Sequence, residues 1–419
     1  MKQKIAIIGG GIGGLTAGFL LQDQAEIRLF EKENRIGGNA YTLHTKRGYD
    51  VDIAVAAFGK AGYKNFYMLL DKLGITTSMA PASYFSIHNI DTKKGLYLTP
   101  FSFTGLAVQS FSMFSPTHLS SAIGAFWGVK KGVQLLDEGK LEGLSLREAL
   151  KQIPQLKGEA LLLFMCTLCL LSSMHYEEVM ESPASFFFYK LKVHDDVISP
   201  KAIWSVRCVR NKTRSYVDAL ATHFREKIVL NSRIKTVLRD DAGVTLVMED
   251  DSRQRFDKLI LACNADQALA ILDSPTPEEA RLLGPWKYKD GTVTVHTDGS
   301  AFPRRELCQA YTFLYTQQNS KVHMSVNGSL WHESNVPQDC PYFSSQHPNF
   351  PIREDLIEHT TVLRTPVFDH ASVATIPKLP SLNGTCHTYY CGSHFGVGLH
   401  DDAVTSAIRA AQLLGVQWQ

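Results

Sequence analysis

A loop near the start of the chain contains the pattern G-x-G-x-x-G, whose residue types and spacing suit the binding of a pyrophosphate. Gly9 permits a tight turn, Gly11 lets the backbone approach the phosphates, and Gly14 lets the following helix pack on the strand. Ile12 and Gly13 lie at the helix start, where free N–H groups and the helix dipole favour an anion. The alternative interpretation is a glycine-rich turn without a ligand.

An acidic residue stands where a dinucleotide-binding unit needs one. Glu31 follows the glycines by about 20 residues and comes directly after the apolar stretch Glu26–Phe30, which is typical of a strand. Its carboxylate can accept hydrogen bonds from both hydroxyls of an adenosine ribose. The order strand, glycine turn, helix, strand therefore predicts a βαβ unit that binds a dinucleotide.

The residues after Glu31 distinguish FAD from NAD. They form the pattern E-x-x-x-R-x-G-G, which resembles the signature of the flavin amine oxidase superfamily, including monoamine oxidases, phytoene desaturases and protoporphyrinogen oxidases. The resemblance implies that the Arg contacts the FAD pyrophosphate and that the Gly pair lets the backbone pass close to the cofactor. Asn39 departs from the pattern, because many members have a second Arg there. The cofactor-binding residues predicted in this segment are Lys32, Arg35, Gly37, Gly38 and Asn39.

Two later segments also resemble this superfamily. Around Ile234 a strand and hairpin precede Asp257 and an apolar strand, and the resemblance implies that a backbone group near Ile234 meets adenine. Near the end, a strand leads to Gly392 and Ser393. Many members have an acid at the second position, which holds the ribityl chain, so the resemblance implies a weaker or backbone contact at Ser393.

The last predicted helix is the segment expected to face the flavin ring. The resemblance implies that N–H groups near His400 and Asp401, with Val404 one turn later, meet the flavin. A helix start there would stabilise the negative charge of the reduced ring, and a charged His400 side chain could add to it as a catalytic residue. The competing interpretation makes Asp401 or Asp402 the N-cap and His400 a solvated neighbour.

A narrower resemblance covers most of the chain. It is to bacterial predicted NAD/FAD-binding proteins that are found alongside cyclopropane-fatty-acid synthase-like proteins. The residues that carry it are Asn264–Leu269, Leu283-Gly284, His296–Asp298, Pro303–Arg305 and Gly398–Asp401. One departure is the sequence Asn211-Lys212-Thr213, where that subgroup usually has Gly-Gly-Ser, so a loop near the flavin or the substrate is expected to be bulkier here.

The elements that must position these residues define an α/β fold. We expect a doubly wound, Rossmann-like FAD-binding domain assembled from residues 1–85, 205–275 and 385–419. Residues 86–204 and 276–384 are expected to form a substrate-binding domain of antiparallel sheet plus helices. Helical spacing is visible at Asn65–Leu73, Leu144–Gln152 and within Pro100–Gly132, whereas Pro337–Pro351 has the composition of a turn-rich segment.

The apolar insert at 85–200 suggests the type of substrate. The chain is predicted to be an FAD-dependent oxidoreductase, most plausibly a desaturase or dehydrogenase, or a redox-neutral isomerase, of a hydrophobic, fatty-acyl-like molecule. A flavin amine oxidase is the second interpretation, with Tyr389 and Tyr390 as candidates for an aromatic cage. A non-catalytic, flavin-bound scaffold is the third. No second dinucleotide motif is evident, so oxygen, a quinone or a protein is expected to accept the electrons.

The composition of the chain argues against some classes of binding partner. The 43 basic and 41 acidic residues give a net charge of +2 without a basic stripe, which argues against nucleic acid. No His, Cys or acidic set has metal-ligand spacing, and Cys166-x-x-Cys169 lies in an apolar run that favours core packing. No Cys or His matches a covalent flavin anchor, so FAD is expected to be bound non-covalently. A cytoplasmic protein is predicted, with contact to a membrane surface or a carrier protein as a further alternative.

Overall fold

The computed structural model describes most of the chain. The described residues are 2–54, 57–80, 85–98, 116–194, 205–319, 321–333 and 336–418. Within them, two large sheets and a group of helices enclose a long cavity.

The first sheet carries the predicted dinucleotide-binding unit. Its described strands all pair in parallel, as expected of a doubly wound fold. They are β1 (Lys4–Ile8), β2 (Glu26–Phe30), β9 (Ile228–Val229), β13 (Lys258–Leu261) and β19 (Thr388–Tyr390). Their order in the sheet is β19-β13-β1-β2-β9, so strands from the beginning, middle and end of the chain lie side by side.

Four helices accompany this sheet. They are α1 (Ile12–Leu21), α2 (Lys64–Lys72), α8 (Lys212–Ala221) and α12 (His400–Leu413). Helix α1 packs against both α8 and α12, and its buried residues share one apolar cluster with the sheet, including Leu15, Leu220 and Ala407. The first turns of α1 and α12 are thereby held near one another beside the carboxyl ends of the strands.

The second sheet belongs to the predicted substrate-binding part. All of its neighbouring strands are antiparallel except the parallel pair β6–β15. The order is β18-β14-β17-β16-β15-β6-β7. The strands are β6 (Phe85–Asn89), β7 (Gly95–Leu98), β14 (Lys287–His296), β15 (Tyr311–Gln318), β16 (Lys321–Ser329), β17 (Phe343–Gln346) and β18 (Ile357–Val367).

A helical layer packs against this sheet. It consists of α3 (Pro116–Asp137), α4 (Leu146–Ala149), α5 (Gly158–Ser172), α6 (Tyr176–Glu181) and α7 (Ala184–Val193). Helix α3 approaches its neighbours closely through glycines: a Cβ at Gly132 would lie 1.9 Å from the ring of Phe188, and one at Gly128 would lie 2.5 Å from Leu156. A Cβ at Gly124 would lie 3.3 Å from the Cβ of Ala160 on α5, so α5 packs against α3, and other residues of α5 line the cavity.

The remaining elements are short. They are β3 (Thr42–His44), β4 (Asp50–Asp52), β5 (Thr77–Met79), β8 (Arg207–Val209), β10 (Ile234–Asp240), β11 (Gly243–Met248), β12 (Arg253–Phe256), α9 (Ala265–Ile271), α10 (Pro277–Leu283) and α11 (His370–Val373). Strands β10, β11 and β12 form an antiparallel meander of their own. Among the described helices, none is long and apolar enough to cross a membrane.

The α/β fold class is confirmed, and some local predictions need correction. The segment predicted to be turn-rich contains β17, and the whole of β18 was missed. The predicted helix at Leu144–Gln152 is the short α4 followed by a 3-10 turn. Of the predicted helical stretch Pro100–Gly132, the residues from Pro116 onward lie in α3, and the rest fall outside the described residues. The division into domains stays a prediction.

Candidate cofactor and substrate site

The glycine loop has the geometry that a phosphate-binding turn requires. Gly9 has φ 110°, which favours glycine, and its N–H donates to the carbonyl of Phe30 on β2. A Cβ at Gly14 would lie 1.9 Å from the Gly9 carbonyl oxygen, so the helix can approach the strand only without a side chain. A Cβ at Gly11 would contact nothing within 4 Å, because this position borders the cavity.

The start of α1 is open to a ligand. Gly11 is the N-cap residue, and no side chain caps the helix. The N–H groups of the first turn and the positive end of the helix dipole therefore lie at the cavity wall beside Ile12 and Gly13. Such an uncapped helix start fits a pyrophosphate.

Glu31 is held by the backbone on both sides. Its Oε2 accepts a hydrogen bond of 2.6 Å from the N–H of Gly10, and its Oε1 accepts one of 2.9 Å from the N–H of Glu33. The carboxylate is buried and lines the cavity. Each oxygen retains a further lone pair, so the carboxylate can still accept ribose hydroxyls, as predicted.

The second glycine segment runs alongside the first. The N–H of Gly37 donates to the Gly10 carbonyl at 2.8 Å, and a Cβ at Gly38 would lie 3.2 Å from the Gly11 Cα. Arg35 donates to the Gly38 carbonyl and lies over the ring of Tyr41, with the guanidinium carbon 3.8 Å from the ring centre. Burial lowers the pKa of Arg35 from its ordinary value. The guanidinium is thus fixed in place at the cavity wall.

The structure brings most of the predicted cofactor residues to one cavity of about 1230 Å³, which we call the main cavity. This volume exceeds the ~300–1,000 Å³ of ordinary small-molecule pockets, so it can hold a dinucleotide and part of a second molecule. The predicted residues that line it are Gly9, Gly11, Ile12, Gly13, Glu31, Lys32, Arg35, Gly37, Gly38, Asn39, Ile234, Gly392, Ser393 and His400.

Three predicted residues do not line the main cavity. Gly14 faces the Gly9 carbonyl, and Val404 is fully buried among the helices. The Asp401 carboxylate accepts the N–H of Phe66 at 2.7 Å, so its side chain caps the first turn of α2. The Val404 side chain thus packs in the core and the Asp401 side chain caps α2, while the predicted contact of their backbone with the flavin stays a prediction.

The surroundings of His400 also correct an expectation. The N-cap of α12 is Leu399, so neither Asp401 nor Asp402 occupies that position. The His400 ring lies against Phe58 and Phe66, and its Nε2 is 3.0 Å from the Tyr216 hydroxyl. Burial lowers the pKa of His400 to about 4. The side chain is consequently neutral near pH 7 and supplies no positive charge there, although the residue lines the main cavity at the start of α12.

The rest of the main cavity is formed by elements that the sequence did not indicate. Helix α5 and strand β18 supply two of its walls, while β15 supplies aromatic residues. These residues include Cys166, Thr167, Leu170, Leu171, Tyr311, Phe313, His359–Pro366 and Phe368. The apolar run of α5 was a visible signal, whereas β18 ends in Pro-Val and resembles a loop. His394, one of several histidines in the chain, lines the cavity with its pKa lowered to about 3 by burial.

Other candidate residues lie elsewhere. Tyr389 and Tyr390 are buried in β19 and do not line the main cavity, so the prediction that they form an aromatic cage is wrong. The Tyr390 hydroxyl donates instead to Glu279, which also pairs with Arg239 at 2.6 Å. Cys169 packs in the core of α5 as expected, and burial raises the pKa of its thiol to about 12. Within the described ranges, no group of three or more ligating side chains could hold a metal ion.

Comparisons with known proteins agree with this geometry. Residues 7–73 match the family described as NAD(P)-binding Rossmann-like domain. The zeta-carotene desaturase of Capsicum annuum is 34% identical over 74 residues, which cover 17% of this chain and 12% of that protein. Flavin-containing amine oxidase B of Homo sapiens is 29% identical over 101 residues, covering 24% and 19%. The matched region thus spans no more than about a fifth of these curated relatives.

Solved structures are similar in fold to almost the whole chain. A putrescine oxidase variant has a TM-score of 0.70 at 15% identity, with 99% of both chains covered. A fatty acid isomerase from P. acnes has a TM-score of 0.68 at 16% identity, again with 99% of both covered. At such identities the likeness establishes a shared fold. The N-terminal match agrees with a Rossmann-like nucleotide-binding part within that fold.

Proposed function

We propose that this chain is an FAD-dependent oxidoreductase that acts on an apolar small molecule. One observation carries the proposal: the main cavity joins the dinucleotide-binding loops to an apolar wall in one continuous space. The phosphates would meet the start of α1, and the ribose would meet Glu31. The opposite wall, with Leu170 and Phe313, would receive the substrate.

The residues of the chain would hold and orient both molecules. The uncapped start of α1 binds the pyrophosphate, and Arg35 adds a fixed positive charge beside it. The backbone at the start of α12 meets the flavin ring, whose reduced form is anionic. A bound flavin supplies the capacity to accept a hydride from the substrate. Apolar side chains such as Leu171 and Phe368 exclude water around that position.

The proposed reaction is desaturation or dehydrogenation of a fatty-acyl-like chain, or its redox-neutral isomerisation. A zeta-carotene desaturase and a fatty acid isomerase are among the similar proteins, which supports a substrate of this kind. The narrower resemblance to proteins found beside cyclopropane-fatty-acid synthase-like proteins supports the same class. Oxygen, a quinone or a protein is proposed as the electron acceptor, with FAD held non-covalently.

An amine oxidase is the second proposed function. It is favoured by the fold shared with a putrescine oxidase and by the short match to amine oxidase B. The aromatic side chains available beside the flavin would be Tyr63, Tyr311 and Phe313, which line the main cavity. A non-catalytic, flavin-bound scaffold would be favoured if bound FAD never turned over with any acceptor.

A helix surface supports contact with a membrane. Leu119, Ile123 and Trp127 of α3 are each at least half exposed and are spaced four residues apart, so they form one apolar stripe. Lys130 follows on the next turn and is exposed. A stripe of this kind suits an anionic bilayer surface, from which an apolar substrate could be taken up. Association with vesicles that the Trp127→Ser variant lacks would support this, whereas equal association of both proteins would refute it.

The decisive experiment is to purify the protein and examine its cofactor. A yellow protein from which acid releases FAD is expected, and a colourless protein that FAD cannot reconstitute would refute the proposal. The flavin is then mixed anaerobically with unsaturated fatty acids, with primary amines and with NADH. Bleaching by fatty acids, or a shifted double bond in the fatty acid without net bleaching, supports the first function, and bleaching by amines supports the second. Rapid bleaching by NADH would instead indicate a reductase, which the absence of a second dinucleotide motif in the sequence argues against.

A further inference from the structure

A second, smaller cavity of about 60 Å³ adjoins the main cavity, and we call it the side cavity. Ala54, Ala57 and Tyr311 line both cavities, so the two meet at these residues. The side cavity can hold a group about the size of one or two water molecules. A molecule in the main cavity could therefore place a small terminal group in the side cavity.

An ion pair forms one wall of the side cavity. The Lys212 ammonium donates to Oε2 of Glu333 at 2.9 Å, and both side chains are largely buried. Lys212 has φ 67°, a left-handed conformation that is costly for a residue with a side chain. This strained conformation places the Lys212 ammonium beside Glu333. Strained backbone conformations are more common at functional sites than elsewhere.

A second carboxylate makes the balance of charge negative. Asp52 lines the same cavity and is buried. Its Oδ1 accepts the hydroxyls of Thr42 and Thr213, and the Thr213 N–H contacts both of its oxygens. His332 also lines the cavity, and burial lowers its pKa, which favours the neutral ring. Two carboxylates therefore face one ammonium.

Two acceptor atoms in this wall have no partner. Glu333 uses Oε2 for Lys212 and for the Asp52 N–H, while Oε1 accepts no hydrogen bond from the described residues. Ser329 is only 2% exposed, and its Oγ also has no partner in the described part of the chain. A buried polar atom without a partner costs about 1–3 kcal/mol, so a ligand that donated a hydrogen bond to Ser329 Oγ would be favoured, and Glu333 Oε1 is free to accept a second one.

We propose that the side cavity binds a primary ammonium group of the substrate, with Glu333 Oε1 and Ser329 Oγ as its acceptors. An ammonium offers three donors and a positive charge, which match the two free acceptors and the excess of carboxylate. Burial raises the pKa of the Glu333 carboxyl to about 7, and a neighbouring cation would lower it again. The inference rests on the proposed function in one respect: the rest of the molecule would occupy the main cavity beside the flavin.

The test compares three probes that share one apolar chain. Octylammonium, octan-1-ol and octanoate are titrated by calorimetry into the purified protein, both with and without bound flavin. Octylammonium is expected to bind at least ~10-fold more tightly than the other two, because hydrogen bonds to charged groups contribute more than neutral ones. Equal affinity of all three probes, or no binding of octylammonium, would overturn the proposal.

Two variants locate the binding. Glu333→Gln keeps the shape and removes the charge, and it should lower octylammonium affinity by ~10-fold or more. Ser329→Ala removes an atom that has no partner in the protein, so the fold is retained, and the affinity should fall by roughly 3-fold. The control Glu306→Gln makes the same charge change at an exposed position of the same part of the chain and should bind like the wild type.

The outcomes separate this inference from the proposed function. Wild-type affinity for octylammonium in Ser329→Ala and in any folded Glu333→Gln would refute an ammonium site in the side cavity. A protein that binds octylammonium through Glu333 but never contains flavin would refute the oxidoreductase and leave the site intact. Calorimetry reports the first property without the cofactor, and the visible flavin band reports the second.

Discussion

The Nε2 of His400 lies 3.0 Å from the hydroxyl oxygen of Tyr216, and this contact joins the first turn of α12 to α8. The sequence left two interpretations open for this ring, a charged group beside the flavin or a solvated neighbour of the helix start, and the structure shows a neutral member of an aromatic cluster. If the start of α12 stabilises reduced flavin, it does so through backbone N–H groups.

The His400→Ala variant should therefore leave the pH dependence of the flavin reduction potential unchanged between pH 5 and pH 9. Because the pKa of His400 is lowered to about 4, no proton is gained or lost by this side chain in that range. Potentiometric titration of the bound flavin at several pH values provides the measurement. A potential that falls in the variant only toward pH 5 would show that the ring carries charge after all.

The same buried ring should make the protein sensitive to acid. A His whose pKa falls from 6.5 to about 4 on folding stabilises the folded state above pH 6.5, and this contribution is lost as the pH falls toward 4. The loss amounts to at most about 3 kcal/mol. Urea unfolding at pH 7 and pH 5 should show a smaller decrease for His400→Gln than for the wild type. His223→Gln, at an exposed position, is the control that should follow the wild type.

Two glycines of the first loop should respond differently to substitution. Gly11→Val should keep the fold, because a Cβ there contacts no protein atom within 4 Å, yet it should abolish FAD binding by filling the phosphate path. Gly14→Ala should destabilise the fold by about 1–3 kcal/mol or more, because its Cβ would meet the Gly9 carbonyl at 1.9 Å. Thermal unfolding and FAD titration of both variants distinguish the two effects. A Gly11→Val protein with normal FAD affinity would contradict the assignment of the site.

Glu31→Ala should weaken FAD binding less than Gly11→Val does, and it should also lower stability. The loss of ribose hydrogen bonds is expected to reduce affinity by roughly 10-fold or more. The substitution also leaves the N–H groups of Gly10 and Glu33 without their carboxylate, at a cost of about 1–3 kcal/mol. Calorimetric titration of FAD and chemical unfolding measure these effects. Glu26→Gln, exposed on the same strand, should change neither quantity.

Tyr390→Phe should change stability without changing flavin chemistry. The hydroxyl donates to the buried carboxylate of Glu279, so its removal is expected to cost about 1.5–3 kcal/mol. The rate of flavin reduction by any substrate should stay at the wild-type value, since Tyr390 does not line the main cavity. The exposed Tyr189→Phe is a matched control for stability. If Tyr390→Phe specifically lost amine oxidation, Tyr390 would have to be assigned to the active site after all.

The parts of the fold that short-range rules determine were predictable. Strand β2 begins and ends at the predicted residues, because its sequence pattern marks it locally. Glu31, Arg35 and the Gly37–Gly38 pair were found in the same way. Their contacts are made with residues near in the sequence or with the neighbouring glycine loop.

The substrate side of the cavity was not predictable for a physical reason. Strand β18 faces the cavity because it pairs with β14 about 70 residues earlier, and nothing within Ile357–Val367 records that pairing. The environments of His400 and Tyr390 likewise depend on Tyr216 and Glu279, each more than 100 residues away. A residue type can suggest a role, but the burial of the side chain and its hydrogen-bond partners determine whether it is charged at a given pH.

The strand order of the parallel sheet has a consequence for how the protein is made. Strand β13 is flanked by β1 and by β19, so the sheet lacks its last strand until Thr388–Tyr390 has left the ribosome. The glycine loop is translated long before its partners on α12. FAD should accordingly bind only after α12 has been synthesised. Nascent chains should depend on chaperones while this edge of the sheet is exposed.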